Sequence, residues 1–186
     1  MQPVGLLASH RTQPRKPASP RPDRGGGLVL ALGLVSLLLS TTALACTGTP
    51  APRVDWARCV LDGQGLVGVD LTGARLRDTS FLRADLSRAR LDQVDGFRSK
   101  WVRATMVAAT LDRARLQEAD FTRANLRGAS FTATDLRRAR LDYADLTGAD
   151  LTGAQIEGAV FLHATLDDAR WPDGRVCAKG SIGRCE

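Results

Sequence analysis

Cys46, Cys59, Cys177 and Cys185 stand as two close pairs toward the ends of this 186-residue chain, and between the pairs Arg83, Arg103 and Arg123 recur every 20 residues, followed at the same step by Tyr143 and His163. Two kinds of chemistry are on offer. Paired thiols close disulfides in an oxidising compartment. Guanidinium groups set side by side repel one another unless an anion lies across them, and arginine grips phosphate or sulfate through two parallel hydrogen bonds. A second reading stands beside the anion site, in which Asp85, Asp120 and solvent neutralise the arginines.

Catalysis finds no such constellation. Beyond residue 45 the chain has one histidine, His163, with no Ser or Cys beside it in a nucleophile signature. There is no phosphate-binding loop, no cluster of metal-ligand residues and no C-x-x-C spacing for zinc. The carboxylates are scattered and read as solvated charges. The expectation is a non-enzymatic protein that needs no cofactor.

Residues 1–45 form a separate unit. Arg11, Arg15, Lys16, Arg21 and Arg24 precede an apolar run from Leu28 to Leu39, and the small-residue stretch Ala43-Leu44-Ala45 follows. A basic lead-in, an apolar centre and small residues before a cut read as an export signal. The run falls short of the roughly 20 apolar residues that a membrane span needs. Cys46 follows directly, which raises lipid attachment there as an alternative to plain cleavage; Ala43, three places before it, is not the branched aliphatic residue such a site favours. Without residues 1–45 the chain holds 21 Lys and Arg against 19 Asp and Glu, a charge near +2. The basicity of the whole sequence is therefore largely that of the leader, and no nucleic-acid partner is expected.

What brings residues 20 apart together? From Leu61 a large apolar residue returns every fifth position through Leu66, Leu71, Leu76, Phe81 and onward to Trp171, with Gly96 as the single break, and Ala usually stands two places before it. In a helix, five steps of about 100° turn each of these residues roughly 140° from the last, which scatters them around the cylinder. On a flat strand an odd step sends successive ones to opposite faces. A corner in every repeat resolves both conflicts, and four corners close a square coil of 20 residues stacked at about 4.8 Å.

The repeats Ala119-Asp120-Phe121, Ala124-Asn125-Leu126, Ala144-Asp145-Leu146 and Ala149-Asp150-Leu151 resemble the A-(D/N)-L-x-x motif of the pentapeptide repeat family, over residues 59–171. The resemblance implies an all-β fold, a right-handed quadrilateral β-helix solenoid of about six coils capped at both ends. The expected layout is a signal at 1–45, an N-terminal cap segment at 46–58, the β-helix at 59–171 and a disulfide-closed cap at 172–186. Gly96 in an inner column implies a hole worth about 2 to 5 kcal/mol unless a neighbour such as Phe97 or Val94 fills it. Outer columns reading Asp78, Arg98, Glu118, Arg138 and Arg75, Asp95, Arg115, Asp135 should form salt-bridge ladders.

Open coil ends invite association unless covered, and the cysteine pairs flank them. In an exported chain they suggest the disulfides Cys46 to Cys59 and Cys177 to Cys185; Cys59 also sits in an inward slot, where a small buried residue would do as well, and a lipid on Cys46 would leave it unpaired. Both flanks resemble the ends of some exported family members. Some members of the family mimic DNA and protect gyrase, but with a strongly acidic rod in the cytoplasm, from which this near-neutral chain departs. The sequence thus reads as a rigid interaction scaffold outside the cytoplasm, periplasmic or extracellular, with an unknown protein or an anionic envelope polymer as partner and a membrane met only through the leader or a lipid on Cys46. The alternative is an anion- or carbohydrate-binding module built on Arg83, Arg103, Arg123 and His163.

Overall fold

The structure is a computed structural model that describes Cys46 and residues 48–186; the expected export signal lies outside these residues. From Ala51 to Arg170 the chain repeats one local unit of five residues, a turn followed by a single bridging residue. Ala84 N donates to Phe81 O (3.1 Å) and Ala124 N to Phe121 O (2.9 Å), closing a four-residue turn at each corner. The third residue of the turn has positive φ at every repeat from Arg53 to Asp168, as a type II turn requires.

Nine of these left-handed corners are arginines, at roughly 1 to 2 kcal/mol of backbone strain each. The compensation is a hydrogen bond to the next coil. Arg83 N meets Val102 O (3.0 Å), Arg103 N meets Thr122 O (3.0 Å) and Arg123 N meets Asp142 O (2.9 Å). Along the sides, Asp85 N donates to Gln64 O (2.9 Å) on the preceding coil and Leu86 N to Thr105 O (2.7 Å) on the following one. Parallel bridges from Asp55 with Arg75 to Asp150 with Arg170 all join residues 20 apart. The result is a right-handed quadrilateral β-helix whose coils reach further toward the N-terminus than residue 59, with Trp56 already buried in an inward position.

The core is the set of inner columns. Leu71, Leu91, Leu111 and Leu151 stack with Phe131, and the aromatic wall places Phe81 on Trp101 (centroids 4.2 Å, 6° between planes) and Trp101 on Phe121 (5.9 Å, 5°). Offset stacking of this kind adds about 0.5 to 1.5 kcal/mol per pair beyond burial. Polar residues in the inner alanine columns are satisfied: Thr79 Oγ1 donates to Trp56 O (2.6 Å) and Thr134 Oγ1 to Leu111 O (2.6 Å).

Gly96 leaves no hole, and neither Phe97 nor Val94 is what fills the space. A Cβ on Gly96 would lie 2.7 Å from Leu116 Cδ2 and 3.0 Å from Ser99 Oγ. Ser99 Oγ donates to Gly96 O (2.6 Å) and accepts from Trp101 Nε1 (2.7 Å), so glycine and serine together make room for the indole and pair its N–H. Phe97 instead faces outward between Arg77 and Arg98, whose guanidinium carbons lie 5.1 and 5.9 Å from its ring centre.

The expected charge ladders form as separate pairs. Arg98 reaches Asp78 (3.6 Å), Arg138 reaches Glu118 (3.8 Å) and Arg75 reaches Asp55 (3.2 Å). Asp95 is taken diagonally by Arg77 (3.5 Å) and Asp135 by Arg137 two residues on (2.6 Å), so Arg115 joins neither carboxylate. The aspartates of the repeat motif also do local work. Asp70 accepts from Thr72 N (2.9 Å) and Thr72 Oγ1 (2.6 Å), holding the turn, while its other oxygen faces Arg90 (3.4 Å).

The two ends differ. At the C-terminus residues 172–186 turn back as an antiparallel segment on the last coil, pairing Thr165 with Ile182 and Arg170 with Val176. Cys177 N donates to Ala169 O (2.8 Å), Leu166 N to Ser181 O (2.9 Å) and Gly183 N to Ala164 O (2.9 Å), and the Cys177–Cys185 disulfide closes the loop. At the N-terminus Cys46 is bonded to Cys59 with a Cα separation of 5.9 Å. Cys59 is buried in its inward slot and bonded at once, so the two roles weighed for it coincide.

Two outcomes follow from this packing. Gly96→Leu restores the repeat pattern yet should destabilise by about 1 to 3 kcal/mol through overpacking, read by urea unfolding; a gain in stability would show free space beside Leu116. Hydrogen bonds from the Thr72 hydroxyl and amide, and beyond them the charge of Arg90, hold the Asp70 carboxyl below its ordinary range, and those from Ser87 do the same for Asp85. The unfolded chain therefore protonates first, so stability is complete above the ordinary carboxylate range near about 4 and declines as pH falls through the lowered folded values. An NMR titration should find Asp70 below a free aspartate and moved upward by Thr72→Val; an unchanged value in the variant would rule out the hydroxyl as the main cause.

Candidate functional site

The corner that carries Arg83, Arg103 and Arg123 owes its geometry to the coil. All three sit at the left-handed turn position (φ 57°, 57° and 60°), one per coil, so their side chains leave the same corner at successive levels. Neighbouring levels are about 4.8 Å apart, a spacing at which two unit charges in water repel by about 1 kcal/mol. The column continues to Tyr143 and His163. Arg123 lies over the Tyr143 ring (5.4 Å to its centre), and Tyr143 meets His163 with centroids 4.9 Å apart at 30°.

The carboxylates expected to neutralise this column are engaged elsewhere. Asp85 accepts from Ser87 N (3.0 Å) and Ser87 Oγ (2.6 Å). Asp120 accepts from Thr122 N (2.9 Å) and faces Arg140 (3.7 Å). Asp142, buried at the corner, is paired with Arg140 Nε (3.3 Å). Among the described residues no carboxylate forms an ion pair with Arg83, Arg103 or Arg123, in contrast to the paired Arg98 and Arg138 of another corner.

The arginines line one side of an open groove of about 570 Å³. Its other side is the residue before each of them, Leu82, Val102 and Thr122, continued by Asp142 and Leu162, with Arg140 beside Asp142. Leu82 is 37% exposed, Leu162 55% and Tyr143 51%. Reading the arginine column alone misses this apolar strip. The signal was present in the column one residue earlier, which carries Leu82, Val102 and Leu162, while Val67, Phe97 and Val107 are divided among the other columns. His163 shares the column but not the groove lining; it backs Tyr143 from the C-terminal side. The four cysteines lie away from this groove as the two disulfides of the ends, and among the described residues no cluster of His, Cys, Asp or Glu could hold a metal ion.

Chemically, the groove offers three guanidinium groups without ion-pair partners beside a partly apolar strip, with the Tyr143 ring and Leu162 toward one end. A comparable surface depression around Glu118, Arg137, Arg138 and Glu157 carries both signs of charge. Of the four corner columns, only this one repeats the same charge on three consecutive coils.

Comparisons with known proteins place the chain. The family model described as pentapeptide repeats matches in eight copies over residues 54–95, 104–142 and 134–170. The gap from 96 to 103 covers Gly96, Phe97, Ser99 and Trp101, the stretch with the departure at Gly96. No curated protein matches. Among solved structures the chain is similar to HetL of the cyanobacterium Nostoc sp. strain PCC 7120, a pentapeptide repeat protein involved in heterocyst differentiation regulation, at 28% identity and a TM-score of 0.29 over 67% of this chain; it spans 64% of HetL. It is also similar to QnrB1, a plasmid-mediated fluoroquinolone resistance protein, at 24% identity and a TM-score of 0.44, over 64% of this chain and 68% of that one. A third is a pentapeptide repeat protein of the Arabidopsis thaliana thylakoid lumen, at 18% identity and a TM-score of 0.24, over 74% of this chain and 91% of that one. With repeats matched over more than half its length, the chain belongs to the pentapeptide repeat family.

Proposed function

We propose that the protein is a non-enzymatic, exported β-solenoid that serves as a rigid interaction scaffold outside the cytoplasm. The observation that carries this reading is the pair of disulfides, one at each end of the same rod. Disulfides persist in oxidising compartments and are reduced in a bacterial cytosol. They sit where a solenoid is weakest, since a terminal coil has a neighbour on one side only. The sequence of residues 1–45 supports the same reading from the other direction, as a basic, apolar and then small-residue leader that ends beside Cys46.

The rod itself is suited to holding surfaces rather than turning over substrate. Its backbone polar groups are committed to turns and inter-coil hydrogen bonds, and its six stacked coils make a stiff body about 28 Å long. The bond to Cys59 uses the sulfur that a lipid on Cys46 would need, which favours plain cleavage of the leader. A gyrase-directed DNA mimic needs an acidic face, and the near-neutral charge with three stacked arginines speaks against one.

Intact mass of the protein recovered from fractionated cells, with and without reductant, tests the proposal. The expected product is soluble, begins near Cys46 and gains about four mass units when its two disulfides are reduced. Diacylglycerol mass on Cys46 in a membrane fraction would retain export but remove the first disulfide. A full-length cytoplasmic chain with four free thiols would refute export.

A further inference from the structure

We propose that the groove along Arg83, Arg103 and Arg123 binds the phosphate headgroups of an anionic lipid surface. This names a partner for the scaffold and rests on that reading only in that the rod must meet a membrane. Three features of the site converge on this chemistry. The guanidinium groups face solvent without ion-pair partners among the described residues, so they can donate to phosphate oxygens without first breaking an ion pair inside the protein. The strip beside them carries exposed apolar residues at its two ends, Leu82 and Leu162, with a half-buried Val102 between them and Thr122 and Asp142 completing it. A free inorganic anion has no use for such a strip, whereas a headgroup continues into glycerol and acyl carbon. Tyr143 stands at the boundary with its ring held by Arg123, and an amphipathic ring is suited to the layer between headgroup and acyl chain.

The charge distribution also argues that the contact is local. With a charge near +2 beyond residue 45, the rod has little general attraction for an anionic surface. The other corners carry arginines that alternate with Asp or Glu, as in Asp78, Arg98, Glu118 and Arg138, or that stand singly, as Arg88 does in its column. Charge complementarity therefore selects one corner, and the rod would lie along the surface rather than stand on it. Asp142 lies within the groove, where it is paired with Arg140, which lines the groove beside it and also faces Asp120.

The test is flotation of the protein recovered from cells with vesicles of phosphatidylcholine alone or with phosphatidylglycerol at three parts in ten. Binding is expected only to the mixed vesicles and is expected to weaken with salt. Each basic residue near an anionic membrane contributes roughly fivefold, so R83S/R103S/R123S should lower affinity by about a hundredfold. L82S/L162S should lower it as well, by a smaller factor and with less dependence on salt. R53S/R88S/R113S removes three arginines of the same left-handed turn position from other corners and should leave binding within about twofold; circular dichroism of each variant reports folding. Equal binding to both vesicles, equal loss in both arginine triples, or full displacement by millimolar inorganic phosphate would each overturn the proposal, the last by making the site one for a free anion. None of these results bears on export, which the mass measurement reads separately.

Discussion

Each coil can exist only because its backbone N–H and C=O groups find partners one coil away, 20 residues along the chain. That condition fixes nearly everything else. The bridging residues must be extended, the corners must reverse direction within a four-residue turn, and the third position of each turn must take positive φ. Local strain at arginine corners is tolerated because leaving that conformation would forfeit hydrogen bonds to the adjacent coil. Stability here is a lattice property, in which a residue's own preference counts for less than the register of its neighbours.

This is why the interior was legible from residue types alone and the exterior was not. Inner positions are sorted by a single criterion, burial, and a period of five exposes that sorting with no need for three-dimensional detail. Gly96 marks the limit. The pattern shows that a large side chain is missing, but only the structure shows Leu116 Cδ2 beside Gly96 and Ser99 bonded to the Trp101 indole. The C-terminal segment was legible as a disulfide-closed end, whereas its antiparallel pairing with Thr165 and Arg170 carries no periodic mark.

Outside the coil, position along a column sets which residues are near but not which ones pair. Arginine is long enough to choose among several carboxylates, and Asp95 goes to Arg77 across a diagonal when the column alone would give it Arg75 or Arg115. The groove illustrates the converse. Its arginines were visible as a column, yet their freedom depends on Asp85 and Asp120 being held by hydroxyl, amide and arginine donors of their own. A site made of what its neighbours decline to do is hard to read from a list of charges.

The unbroken frame between Ala51 and Arg170 gives the rod a system of addresses. Any surface residue is specified by a level and a side, and the sequence can change either one independently. Five residues inserted ahead of Arg103 would turn all that follows by a quarter of a revolution, moving Arg103 and Arg123 to a different side from Arg83. Twenty would return them to the same side one level further on, lengthening the spacing and leaving the direction unchanged. In such a molecule the unit of heritable change that preserves a surface is a whole coil, and aiming a contact surface elsewhere by five residues also re-pairs the inner columns, as for Phe81, Trp101 and Phe121.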